Sequence, residues 1–146
     1  MKHTMKQRLV TVLLLALLLT CAACNATSKA SDANGDVWAN ATYQADTTFG
    51  TGASTVQVEV QADDKAVTFT LKTDKTTLAD ALLEHDLIAG EQGDYGLYVK
   101  VVNGITADYD ADGHYWSLCK NGGAVMTGAD TTEIKDGEHY EFVYAK

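Results

Sequence analysis

Two stretches of strict alternation between apolar and polar residues constrain the fold of this chain most. Residues 55–61 read TVQVEVQ, with Val56, Val58 and Val60 on one face, and residues 67–73 read VTFTLKT with the same spacing. A period of two residues is the pattern of a strand with one buried and one solvated face. Because only a short turn separates the two runs, the sequence predicts a β-hairpin that is dry on one side.

The next segment, TTLADALLEHDLIAG at 76–90, has helical spacing instead. Thr77 is placed to cap a helix, with Asp80 three residues later as in a capping box. Gly90 is a natural stop at the C-terminal end. The apolar stripe consists of Leu78, Ala81, Leu82 and Leu83. We predict one helix of about three turns that covers the dry face of the hairpin.

Three further runs are typical of strands, namely YGLYVKVVNG at 95–104, YWSLCKNG at 115–122 and HYEFVYA at 139–145. Asn-Gly, Asp-Gly and Asn-Gly-Gly sequences, which favour tight turns, punctuate these runs. The resulting order is strand, strand, helix, strand, strand, strand. It predicts the α+β class, with a mixed β-grasp-like sheet (ββαβββ) packed on one helix.

The N-terminus has the pattern of an export signal. Two lysines and an arginine precede the uncharged run Leu9–Leu19, which is short for a permanent membrane anchor. Two alanines directly before Cys24 resemble a bacterial lipobox, although the leucine usual three positions before that cysteine is Cys21 here. We predict a lipoprotein signal peptide at 1–23 and lipidation of Cys24 at the outer face of the cytoplasmic membrane. An ordinary secretory signal and a retained membrane helix are the alternatives.

Residues 24–54 are rich in Ala, Thr, Asn, Asp and Gly and lack a sustained apolar period. This composition predicts a flexible surface tether, followed by a single domain at 55–146. Trp38 and Tyr43 are exceptions, and the sequence leaves open whether they mark a first short strand.

Charge and cysteine content restrict the partners of the exported chain. Loss of residues 1–23 removes three basic residues and no acid, so the net charge changes from −9 to 8 − 20 = −12. Such a surface repels nucleic acid, and attachment to a membrane must come from lipid rather than charge. Cys119 then stands alone, so no internal disulfide is expected, and we predict a half-buried strand cysteine.

The stretch DYDADGHYW, which starts at Asp108, raises the question of a calcium loop. Asp108, Asp110, Asp112 and Gly113 match positions 1, 3, 5 and 6 of such a loop, but the twelfth position, which requires Glu, is Cys119. The flanking segments also read as strands rather than helices. We interpret the stretch as a turn that precedes the strand starting at Tyr115 and Trp116, with a weak cation site as the alternative.

Catalytic motifs are not recognisable in the sequence. Paired catalytic carboxylates, metal-type His/Cys spacing, a G-x-S-x-G elbow and a phosphate loop are all missing. We therefore expect neither enzymatic activity nor a cofactor nor a metal site.

Aromatic residues are concentrated in the last third of the chain. They are Tyr95, Tyr98, Tyr109, Tyr115, Trp116, Tyr140, Phe142 and Tyr144. The core of a small sheet absorbs some of these rings but not all, so we expect the others at a recognition surface. Trp116 and Leu118 share one strand face and Tyr115 lies on the other, so one of the adjacent aromatic residues points outward.

The motifs YVKVVNG at 98–104, YWSLCKNGGAVMTGAD at 115–130 and IKDGEHYEFVY at 134–144 resemble the transcobalamin-like C-terminal domain family. The resemblance covers residues 55–146 and implies a β-grasp fold. In cobalamin carriers this domain supplies one side of the cobalamin site and a helical barrel supplies the other, which this chain lacks. The ligand-binding residues implied here are Tyr115, Trp116, Leu118, Lys120, Asn121, Gly122 and Val125, whereas Asn103 and Gly104 are expected to shape a turn.

Two functional hypotheses follow. The first is a lipid-anchored, non-catalytic binding module for a corrinoid or similar small molecule. Either a separate helical partner protein supplies the missing half of its site, or the domain binds something else. The second is a protein-interaction module that uses the same aromatic face or an open sheet edge.

Overall fold

The hairpin predicted from alternation is the centre of the larger of two sheets. The computed structural model describes residues 35–146. Strands β2 (Ser54–Ala62) and β3 (Lys65–Thr73) pair antiparallel along their whole length. Val58 and Phe69, which pair across the hairpin, are fully buried on its inner face. The prediction of a hairpin with one dry face is confirmed.

Four more strands join the hairpin in the larger sheet: β1 (Thr47–Gly50), β7 (Tyr115–Lys120), β8 (Gly123–Ala124) and β9 (His139–Ala145). The order of the six strands is β1-β3-β2-β9-β7-β8. Strand β1 is parallel to β3 and β9 is parallel to β2, whereas the other pairs are antiparallel. The sheet is therefore mixed, as predicted.

A second sheet, which the sequence did not predict, contains three antiparallel strands. They are β4 (Ile88–Gly93), β5 (Gly96–Val102) and β6 (Ile105–Thr106), with β5 in the middle. The sequence of β4, IAGEQG, does not alternate between apolar and polar residues, since the strand buries only Ile88 and every later residue is exposed. The α+β class is confirmed, but the prediction of one sheet around one helix is wrong in that β5 joins a separate sheet.

Helix α1 (Leu78–Leu83) begins as predicted, since the Thr77 side chain accepts a hydrogen bond from the backbone N–H of Asp80 at 3.3 Å. It ends much earlier than predicted. Asp86 adopts a φ of 54°, and Gly90 lies in β4 rather than at a helix end. A Cβ at Gly90 would overlap the Tyr98 carbonyl oxygen of the neighbouring strand, so the glycine permits close strand pairing.

Residues 35–54 are part of the folded domain, so the predicted tether boundary at residue 54 is wrong. Trp38, in a 3-10 helix at Val37–Asn40, is 2% exposed, and its Nε1 donates to the Ala62 carbonyl at 2.8 Å. Neither Trp38 nor Tyr43 lies in a strand; the first strand is β1, four residues after Tyr43, and it extends the hairpin sheet. Segment 24–34, the predicted signal peptide and Cys24 lie outside the described residues.

The Val-Asn-Gly turn after β5 fixes this N-terminal segment to the domain. Asn103 is 1% exposed with a φ of 53°, and Gly104 has a φ of 77°. The Asn103 side chain accepts from the backbone N–H of Tyr43 and donates to its carbonyl oxygen, both at 2.9 Å. Asn103 and Gly104 thus shape a turn, as predicted. Within residues 35–146, no helix is long and apolar enough to span a membrane.

Candidate functional site

A cleft of about 230 Å³ lies between the two sheets, where β5 passes β7. Residues 97–99 of β5 form one wall and residues 115–118 of β7 form the opposite wall. The loop that follows β8 completes the lining with Val125 and residues 127–129, together with Phe142 of β9. Apolar side chains and polar groups both line the cleft, and a concave site with convergent polar groups is a usual form of a ligand site.

The predicted ligand-binding residues divide into two groups. Tyr115, Trp116, Leu118 and Val125 line this cleft. Lys120, Asn121 and Gly122 lie beyond it, at the end of the β7–β8 hairpin, where Asn121 and Gly122 have φ angles of 53° and 76° and form the turn. The structure therefore brings four of the predicted residues together in the cleft and places the other three outside it, at the tip of the β7–β8 hairpin.

The adjacent aromatic residues of β7 face opposite sides, as strand geometry requires. Trp116 points inward and is 7% exposed; its Nε1 donates to the Ile105 carbonyl at 3.1 Å, and its ring lies 5.3 Å from that of Tyr144. Tyr115 points outward and is 38% exposed. Both residues line the cleft, Trp116 as a largely buried ring and Tyr115 as the more exposed one.

Three partly exposed tyrosines lie at or next to the mouth of the cleft, and we call them the tyrosine rim: Tyr98, Tyr109 and Tyr115. Tyr98 and Tyr115 line the cleft from opposite walls. Tyr109 is 61% exposed and contacts Tyr115 edge-to-face, with 6.4 Å between the ring centroids. Amphipathic rings in such a position suit contact with a flat ligand or with a partner surface.

Lys120 is occupied by an interaction within the protein. Its Nζ lies 2.6 Å from Oε1 of Glu138 and 5.2 Å from the centre of the Tyr140 ring. Glu138 raises the pKa of Lys120 through this hydrogen bond. The arrangement fixes the base of the β7–β8 hairpin, and it gives Lys120 a structural role that the sequence did not indicate.

One lysine and three acids near the cleft have polar partners of their own. Lys100 Nζ lies 3.2 Å from Glu91 and 3.8 Å from Asp108, and the hydrogen bond to Glu91 raises the pKa of Lys100. The backbone N–H of Leu97 is the main cause that lowers the pKa of Asp130, which also accepts from Gln92 at 3.5 Å. The cleft lining itself contains no charged residue.

The aspartate-rich stretch before β7 is a short helix rather than the predicted β-turn. Helix α2 (Tyr109–Asp112) is capped by Asp108, whose side chain accepts from the backbone N–H of Asp110, and Gly113 ends it with a φ of 78°. Asp112 accepts from the backbone N–H of His114, which lowers the pKa of Asp112. Two of the three aspartates thus satisfy backbone groups, and within residues 35–146 no three His, Cys, Asp or Glu side chains are grouped to hold a metal ion.

Cys119 lies half-buried in β7, as predicted. Sequence reasoning missed the β5 wall and the loop at 127–129. Gly128 and Ala129 belong to the segment YWSLCKNGGAVMTGAD, so the resemblance pointed to this loop without assigning its residues a role. The sequence did not mark Leu97 and Val99 as site residues, because their strand was expected to lie in the same sheet as β7.

Comparison with known proteins places the chain in a family. Residues 75–146 match the model of a family described as "Domain of unknown function (DUF4430)". A protein from Ruminococcus gnavus ATCC 29149, described as a "putative metal binding protein", is 33% identical, with a TM-score of 0.61. The match covers 64% of this chain and 97% of that protein. The chain belongs to the DUF4430 family.

The fold is also similar to that of haptocorrin, whose structure in complex with Cbi has a TM-score of 0.52 and 21% identity. This match covers 67% of the present chain but only 26% of haptocorrin, so the chain corresponds to about a quarter of that protein. At this identity the likeness concerns the fold alone. No curated protein matches the chain in a sequence comparison.

Proposed function

We propose that this chain is a lipid-anchored, extracytoplasmic, non-catalytic binding module whose ligand is cobalamin or a similar corrinoid. The observation that carries the proposal is the uncharged cleft between β5 and β7, which Tyr98 and Tyr115 flank. The fold shared with haptocorrin, which binds Cbi, supports a corrinoid as the first ligand to test.

The size of the cleft limits how such a ligand would bind. Its volume of about 230 Å³ is below the roughly 300–1,000 Å³ of pockets that enclose drug-sized ligands. A corrinoid would insert only one edge, with much of its surface left against the tyrosine rim or exposed. We therefore propose that a separate helical partner protein covers the remaining surface of the ligand.

Titration of the chain from residue 25 onward with cobalamin tests the ligand, with the corrin absorption bands and calorimetric heat as readouts. Tyr115→Ala removes a cleft-lining ring that is not part of the core, and we expect a loss of affinity of about tenfold. Tyr95→Ala is the matched control, because Tyr95 is 97% exposed and does not line the cleft. Absence of binding at millimolar cobalamin, or equal effects of the two substitutions, would contradict the assignment.

A protein-interaction module is the second candidate, favoured by two side chains that the cleft does not explain. Tyr95 and Met126 are 97% and 95% exposed, and tyrosine and methionine are enriched in protein–protein interfaces. Pull-down with the intact lipoprotein would detect such a partner. If Tyr95→Asp combined with Met126→Asp abolishes capture while cobalamin fails to bind, the interaction module is the better description.

Lipid anchoring through Cys24 is proposed from the lipobox-like sequence alone. Metabolic labelling with a radioactive fatty acid should mark the native chain and leave Cys24→Ala unlabelled and released from membranes. Equal labelling of both chains would exclude this cysteine as the anchor.

A further inference from the structure

The cleft differs from the rest of the protein in charge. Acidic and basic residues make up 21% of the chain, yet no residue in the cleft lining is charged. The acids around it lie outside the lining: Glu91 and Asp108 contact Lys100, and Asp130 accepts from Gln92 through Oδ2, while Asp130 Oδ1 is buried without a hydrogen-bond partner. A charged group that entered the cleft would lose water and find no charged partner in the lining itself.

The β7 wall offers main-chain polar groups instead. Strand β9 pairs with all six residues of β7 on one side, but β8 pairs on the other side only with Cys119 and Lys120. The Leu118 carbonyl, which points away from β9, accepts from the Val125 N–H at 2.8 Å. Because alternate residues of an antiparallel strand point to the same side, the N–H and C=O of Trp116 also point away from β9, towards the cleft.

A strand edge of this kind presents one donor and one acceptor side by side. A carboxamide matches both, since its NH₂ group donates and its carbonyl accepts. A carboxylate only accepts and an ammonium group only donates, so either would leave one Trp116 main-chain group without a partner. The cleft volume of about 230 Å³ equals that of roughly eight water molecules, which suits a short amide-bearing side arm.

We infer that the cleft selects an uncharged carboxamide group of its ligand, held by the main chain of Trp116 and enclosed by Leu97, Tyr98 and Val125. The inference rests on the proposed function only in taking the cleft as the ligand site. It specifies the chemical class of the group recognised, whether that group belongs to a corrinoid or to another molecule.

Nitrogen-15 NMR of the chain from residue 25 onward tests this with three probes of similar size: propionamide, propionate and propylammonium. Propionamide should shift the backbone amide resonances of Trp116 and Val125, with an apparent affinity about tenfold higher than that of either charged probe. Val125→Trp, which narrows the cleft, should abolish these shifts. Met126→Trp, at the adjacent and fully exposed position, should preserve them, and the dispersion of the spectra verifies that both variants are folded.

Equal or stronger shifts with propionate or propylammonium would overturn the inference, as would the absence of cleft shifts with all three probes. Shifts that persist in Val125→Trp would place the binding elsewhere and also overturn it. Cobalamin binding separates the two proposals. If propionamide binds in the cleft and cobalamin does not bind, amide selection stands and the corrinoid proposal fails; if cobalamin binds and propionamide leaves the cleft unshifted, the reverse holds.

Discussion

Lys120 Nζ lies 2.6 Å from Oε1 of Glu138, and the hydroxyl of the buried Tyr140 donates to the other carboxylate oxygen, also at 2.6 Å. The backbone N–H of Lys135 is a third donor, at 2.9 Å. Burial alone would raise the pKa of Glu138, but hydrogen bonds from Lys120, Tyr140 and Lys135 outweigh it and lower the pKa from 4.5 to about 2. The carboxylate therefore joins β7, β9 and the turn between residues 135 and 138.

The first prediction concerns the pH dependence of stability. Because the folded pKa of Glu138 is below the unfolded value, its contribution is complete above about pH 4.5 and is lost as the pH falls towards 2. We expect Glu138→Gln to lower the free energy of unfolding by about 1–2 kcal/mol at pH 7, after solvent screening, and to approach the native chain near pH 2. Urea unfolding at several pH values measures this. Glu84→Gln, at an exposed position, is the control, and a constant difference between native and Glu138→Gln curves would contradict the prediction.

The second prediction concerns the segment that the sequence assigned to a tether. Trp38→Ala should lower the free energy of unfolding by about 3–5 kcal/mol, because it empties a buried site. Trp38→Phe retains most of the volume but leaves the Ala62 carbonyl without its donor, so we expect about 1–3 kcal/mol. Chains that begin at residue 35 and at residue 55 provide a direct comparison by circular dichroism. If the shorter chain unfolds at the same temperature, the segment 35–54 is not part of the stable domain.

The third prediction separates hydrogen bonding from backbone strain at Asn103. Asn103→Gly keeps the positive φ favourable but removes both side-chain bonds to Tyr43, which should cost about 1–3 kcal/mol. Asn103→Ala removes the same bonds and also places a Cβ-bearing residue without local polar support at a φ of 53°, which should cost about 1 kcal/mol more. Thermal unfolding of the two variants gives the difference directly. An alanine variant as stable as the glycine variant would mean that the turn imposes no strain.

The fourth prediction distinguishes the two aromatic residues of the cleft wall. Trp116→Ala should lower the free energy of unfolding by about 3–5 kcal/mol, because the indole is buried and bonded to the Ile105 carbonyl. Tyr115→Ala should change stability by about 1 kcal/mol or less, since the ring is partly exposed. Urea unfolding of both variants measures the contrast. If Tyr115→Ala is as unstable as Trp116→Ala, the outward ring has a structural role and its use as a ligand-site probe is unsound.

Local pattern was sufficient for a large part of the fold. The alternation in β2 and β3, the Thr77 cap of α1 and the Asn-Gly turns are properties of neighbouring residues, and each lies where the sequence predicted it. For the site, the segment YWSLCKNGGAVMTGAD indicated the β7 wall and Val125 of the loop that follows β8, but not residues 127–129 of that loop. Four of the seven predicted ligand-binding residues lie in the cleft.

Tertiary structure decided which face of each strand is buried and which elements pack against it. A two-residue period shows that Tyr115 and Trp116 point in opposite directions, but only the packing of Trp116 against Ile105 and Tyr144 decides which one is inside. The parallel pairing of β1 with β3 and the contact of Trp38 with Ala62 have no local signal, since their partners are distant in the sequence. Placement of β5 in a second sheet, which creates the cleft, depends on the same long-range contacts. Sequence determined the β2–β3 hairpin, the start of α1 and strands β7 and β9, because their patterns are local, whereas the cleft exists only through pairings between residues far apart in the chain.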